Sequence, residues 1–203
     1  PGSLVGDAKV VVTGEIDIDG QVGAIGGLNS KAEAALQIGA DYFLVPASQA
    51  SSGSDSVEAA RAAVYRFDEL KSRNDPSPRL ARLSLAAPRG TNPAPLRAGV
   101  RIGTAIANGS DLARDLGNRP PNVCTPSHLA ETARRLAGRH RKLKVKVLGE
   151  REIRRLGMGA LLSVTQGAEE PPRVIAIEYR NGPAKEAPVA LCGKGVTFDT
   201  GGI

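Results

Sequence analysis

Lys194 and Asp199 stand five residues apart in the run GKGVTFDTGGI, which follows directly on the apolar stretch PVALCG. A carboxylate is a hard oxygen ligand for a divalent cation. A lysine can coordinate such an ion only as the neutral amine, which needs a strong positive field to lower its pKa. Two neighbouring cations would supply that field. Gly193, Gly195, Gly201 and Gly202 would let backbone and side chains approach a small centre closely, and ligands commonly bind at the carboxyl ends of parallel strands. On spacing alone, a Gly-rich surface turn accounts for the same residues. A phosphate loop does not, because that motif needs four residues between its first glycine and a GK[ST] triplet, and no hydroxyl follows Lys194.

Other reactive residue types have plainer readings. Lys31 follows GGLNS and could act as a base toward a serine if desolvated; as a residue of a polar helix face it would simply be solvated. Ser30 is its sequence neighbour and would point to another helix face. His128 and His140 have no acid or cysteine at ligand spacing and read as surface residues. Cys124 and Cys192 match no CxxC pattern, which excludes a thiolate zinc site and a disulfide framework and leaves them as packing residues in a reducing, cytoplasmic setting. The basic run RHRKLKVK, from Arg139 to Lys146, could touch phosphate. Its alternation in LKVKVLG fits instead a half-exposed strand with its lysines in water, so nucleic acid is not expected as a partner.

The elements that must position these residues follow from periodicity and turn chemistry. AKVVVTGEIDI reads as a strand, DGQVGAIGG as a turn, NSKAEAALQIGA as a helix capped by Asn29 and stopped by Gly39, and DYFLVPA as a second strand. Strand, helix, strand over this span is a parallel crossover. Beyond it, Val57, Ala60, Val64, Phe67 and Leu70 form one helical face, and RLARLSLAAP alternates as a strand. Leu96 to about Leu116 reads as a helix. Thr125, Pro126 and Gly138 supply the N-cap, first position and stop of another. LKVKVLG is a strand, EREIRRLG a helix, and RVIAIEYR and PVALCG are strands.

Charge divides the chain. Over residues 1–60 two lysines face eight carboxylates, and all 19 arginines lie at or after Arg61; the net charge is therefore −6 in the first part and, from a total of +6, +12 in the rest. Such asymmetry points to separate units, and QASSGSDS reads as a flexible linker between them. With 203 residues, 41% hydrophobic content, no Trp and six Phe plus Tyr, the core must be built from aliphatic side chains. No apolar run approaches the length of about 18 residues that a membrane span needs.

GKGVTFDTGGI, ARDLGNRPPNVCTPSHLAETA, LGMGALLSVTQGAEEPPRVIAIEY and YRFDELKSR resemble, in the correct order, the segments of the leucyl (cytosol) aminopeptidase family, over about residues 57–203. The resemblance implies a dinuclear-metal exopeptidase in which Lys194 is a ligand of one ion and Asp199 bridges both, with Mn²⁺ or Zn²⁺ as cofactor, peptides as substrates and a homo-oligomer, usually a hexamer. It also implies further ligands C-terminal to Ile203, so that a polypeptide of these 203 residues is expected to be inactive alone. TGEIDIDGQVGAIGGLNSKAEAALQIGADYFLVPA is similar to the proteolytic domain of Lon-type serine proteases. That likeness implies that Lys31 is the lysine of a Ser–Lys dyad whose serine lies N-terminal to Pro1.

The expected fold class is α/β: a truncated aminopeptidase-type catalytic domain preceded by a Lon-like βαβ remnant. Residues 1–54 would be the Lon-like part and 55–90 the end of an aminopeptidase N-terminal domain. Residues 91–203 would hold the linking helix and the first part of the catalytic domain. Metal-dependent removal of N-terminal residues is the leading function. ATP-linked serine endoproteolysis and a non-catalytic interaction or regulatory role are the alternatives.

Overall fold

A computed structural model describes residues 53–72, 83, 85, 92–183 and 185–198, together with the backbone of four short strands between residues 10 and 44. The chain divides into two compact units, residues 1–115 and 116–203. It is of the α/β class.

In the first unit β1 (Val10–Val12) pairs in parallel with β4 (Tyr42–Leu44), Val11 opposite Phe43. Parallel neighbours in this order are what the expected crossover requires; its helix, with Lys31, lies outside the described residues. The stretch read as one strand contributes to two separate ladders. Beside β1 it supplies β2 (Glu15–Ile16), which pairs antiparallel with β3 (Val22–Gly23). Part of the expected turn is thus a short ladder, a pairing that two-residue strands carry too little pattern to announce.

Helix α1 (Ser54–Val64) lies against the long helix α2 (Pro93–Asn118), with Ser54 beside Gly103. The buried positions of α2 are Gly99, Gly103 and Ala107, spaced by four so that they share one face. Those of α1 are Ser56, Val57, Ala59 and Ala60. Gly103 of α2 lets the backbones approach: a Cβ there would lie 2.5 Å from the Ser54 carbonyl oxygen. Gly53, just before α1, has φ of 49°. A Cβ there would meet the Leu96 carbonyl at 2.9 Å, so conformation and space both select glycine.

Polar contacts complete the pairing. Arg61 Nη2 donates to Asp111 Oδ2 at 2.5 Å, the Tyr65 hydroxyl donates to Asp115 Oδ1 at 2.9 Å, and the Arg114 guanidinium lies 5.1 Å from the Tyr65 ring centroid. With 38% and 21% of the two side chains exposed, the Arg61–Asp111 pair is partly screened and contributes at most about 1 kcal/mol. These contacts correct two readings. Ser54 to Ser56, expected as flexible linker, are the first turn of α1, and Ser56 is buried. The helix, expected to run to Leu70, ends at Val64, and Tyr65 turns extended (φ −60°, ψ 130°) where its ring and hydroxyl meet α2. Leu70 is consequently 53% exposed.

The second unit contains α3 (Pro126–Arg139), β5 (Leu143–Leu148), α4 (Glu150–Arg155), α5 (Gly159–Val164) and β6 (Val174–Tyr179). β5 and β6 are antiparallel, Val145 opposite Ile177. Leu143, Val145 and Val147 are half-buried while Lys144 and Lys146 are exposed, as the alternation predicts. Ala130, Thr132 and Ala133 are buried on α3, and Ile153 of α4 is fully buried. In α4 the Glu152 carboxylate accepts from the Gly149 backbone N–H at 3.1 Å, satisfying one of the donors that a helix start leaves free.

Thr125 and Pro126 behave as expected: Thr125 Oγ1 accepts from the His128 backbone N–H at 3.2 Å, with Pro126 at the first helical position. Gly138 does not stop the helix, which runs one residue further to Arg139. Thr125→Ala removes the only side-chain acceptor of that cap and is expected to cost about 1 kcal/mol, read as a lower urea midpoint of the 222 nm ellipticity with an unchanged slope.

Candidate metal-binding segment

The residues around Lys194 are built on the exit from β6. The chain leaves Tyr179, turns at Pro183 where the Glu186 N–H returns to its carbonyl at 3.1 Å, and then runs irregularly through residues 187–198. PVALCG, expected as a strand, forms none: Val189 is 89% and Leu191 94% exposed. A run apolar on both sides reads as a strand buried on both faces, and here no neighbouring strand pairs with it among the described residues.

Lys194 is exposed and makes no hydrogen bond or ion pair to another described residue. A Cβ on the adjoining Gly195 would lie 3.9 Å from Leu129 Cδ1 of α3, ordinary van der Waals contact. Thr197 is half-buried and Phe198 is 66% exposed. Asp199 lies outside the described residues, as does Lys31. No group of three or more His, Cys, Asp and Glu side chains able to hold a metal ion occurs among the described residues. Lys194 as the one described donor does not by itself fit a divalent cation.

Near the start of α3 a polar cluster ties the chain before β6 to the helix. Arg173 donates through Nη1 to the Pro172 carbonyl (3.1 Å) and through Nη2 to Ser127 Oγ (3.4 Å), and Ser127 Oγ donates to Glu170 Oε2 (3.3 Å). Arg119 Nη1 lies 3.4 Å from Nε2 of His128, which is half-buried; His140 is exposed. Sequence reading singled out neither Arg173 nor Ser127. Their contact spans 46 positions, and no local pattern marks it. Cys124 is buried, as expected of a packing residue, but Cys192 is exposed, a correction that follows from the exposed course of PVALCG.

Residues 111–203, an α/β unit ending in the GKGVTFDTGG segment, match the catalytic domain of the cytosol aminopeptidase family. Residues 3–65 match the C-terminal proteolytic domain of Lon protease (S16). The chain is 54% identical over 153 residues to a probable cytosol aminopeptidase of Ralstonia pickettii and 46% identical over 148 residues to one of Nitrosococcus oceani. These similarities cover 73% and 72% of this chain and 30% of each relative, so the chain spans about three-tenths of their length. A stretch of that extent necessarily takes in α2 and most of α1.

Among solved structures, a mutant of tomato leucine aminopeptidase superposes with a TM-score of 0.72 at 26% identity, covering 85% of this chain and 37% of that one. The bottromycin maturation enzyme BotP in complex with Mn gives a TM-score of 0.60 at 27% identity, covering 80% and 38%. No helix among the described residues is long and apolar enough to cross a membrane.

Proposed function

We propose that this chain is part of a cytosol aminopeptidase, a cytoplasmic metal-dependent hydrolase that removes N-terminal residues from peptides. In this reading Lys194 and Asp199 contribute to a site for two Mn²⁺ or Zn²⁺ ions and the assembly is homo-oligomeric. The observation that carries it is the coincidence, within residues 111–203, of the family match with the GKGVTFDTGG segment. The described donors alone do not make a metal site. The contribution of this chain is the positioning of Lys194 at the end of a segment that follows β6 and passes Leu129.

A chimera tests the reading: residues 111–203 replace the matching segment of the Ralstonia pickettii relative. With Mn²⁺ it is expected to hydrolyse leucyl-p-nitroanilide. A chimera that folds, by ellipticity and cooperative melting, yet shows no turnover would sink the reading.

The match over residues 3–65 supports a second reading for the first part, an ATP-linked serine endoprotease element using Lys31. ATP-dependent casein cleavage by a Lon protease carrying residues 3–65 in place of its matching segment, lost on Lys31→Ala, would favour it.

A further inference from the structure

The first unit contains a groove of about 780 Å³ between α1, α2 and Leu83 and Leu85. Its walls are apolar, formed by Val57, Ala60, Leu83, Leu85, Leu96 and Val100. Arg97 and Arg101 line it from α2, one turn apart, so their side chains lie on the same face. Both are exposed, and neither forms an ion pair or hydrogen bond with another described residue. Arg61, also on the lining, is already engaged by Asp111. Clefts of roughly 300–1,000 Å³ with mostly apolar walls and a few convergent polar groups are the usual form of a small-molecule site.

We propose that this groove binds a small amphiphilic anion, a carboxylate carrying a medium-length alkyl chain. The chain would replace water against Leu83, Leu85, Leu96 and Val100, where each buried methylene contributes about 0.8 kcal/mol. The carboxylate would accept from Arg97 and Arg101, whose guanidinium forks match a carboxylate in geometry and charge. Charge complementarity selects the class: two arginines that pair with no described residue, beside an apolar wall, favour an anionic amphiphile over a neutral or cationic one. The inference does not depend on the aminopeptidase reading, since every residue lining the groove lies outside residues 111–203, whose match carries that reading.

Isothermal titration of the 203-residue chain with dodecanoate, kept below micelle formation, tests it. The expected result is one saturable site that acetate and neutral decanol do not match. Arg97→Gln with Arg101→Gln is expected to weaken dodecanoate about tenfold or more. Both residues are on the surface, and unchanged ellipticity at 222 nm would show that the helices persist. Leu85→Ser, on the apolar lining, is expected to weaken binding without changing the preference for the anion. Absence of saturable binding, equal affinity for decanol, or indifference to both the arginine pair and Leu85 would overturn the proposal.

Discussion

Gly103→Ala is expected to destabilise the first unit by about 2 kcal/mol, although alanine is the better helix former. In an open helical position the exchange would gain about 1 kcal/mol. At Gly103 the new Cβ would lie 2.5 Å from the Ser54 carbonyl oxygen, 2.8 Å from its Cα and 3.0 Å from its carbonyl carbon. All three are backbone atoms, so no rotamer change relieves the contact and α1 must move away from α2, at a cost typical of overpacking, about 1–3 kcal/mol. Movement would also strain the Arg61–Asp111 and Tyr65–Asp115 contacts, which cross the same helix pair.

Gly109 supplies the control. It lies six residues along the same helix, and a Cβ there meets nothing within 4 Å. Gly109→Ala is therefore expected to stabilise by about 0.5–1 kcal/mol. Urea unfolding followed at 222 nm distinguishes the two: opposite shifts of the midpoint are expected. A neutral or stabilising Gly103→Ala would mean that α1 does not seat on α2 as described.

What the sequence revealed, and what it did not, follows from the range of the interactions. Thr125 and Pro126 were legible because a cap is made within three residues, and LKVKVL was legible because alternation is local. The end of α1 was not: the periodicity of Val57, Ala60 and Val64 continues through Phe67 and Leu70, but Tyr65 leaves the helix to meet Arg114 and Asp115, the latter 50 positions away. SSGSDS carries the composition of a linker, yet Ser54 to Ser56 open α1 and Ser54 lies against Gly103 of α2, where the absence of a Cβ makes the necessary room. PVALCG failed in the opposite sense. Its composition demands a strand, and a strand exists only where a neighbour pairs with it. The candidate site was legible as residue types and spacing in GKGVTFDTGG, whereas its geometry is not fixed by spacing, because one lysine on an exposed segment does not define where an ion would sit.

Asp199→Ala carries the largest expected effect on activity. If Asp199 helps to hold the ions, its removal takes away an anionic oxygen ligand that divalent cations require. A metal that polarises the scissile carbonyl and supplies hydroxide is worth several kcal/mol of transition-state stabilisation. In the chimera bearing residues 111–203, Asp199→Ala should therefore lower kcat about 10³-fold or more, and Lys194→Met should act in the same direction with the fold intact.

The kcat for leucyl-p-nitroanilide at saturating Mn²⁺, compared between that chimera and its Asp199→Ala variant with matched ellipticity, tests the metal-ligand role most directly. A loss of about 10³-fold or more is expected; a variant within about tenfold of its parent would contradict the assignment of Asp199, and with it the aminopeptidase reading of the segment.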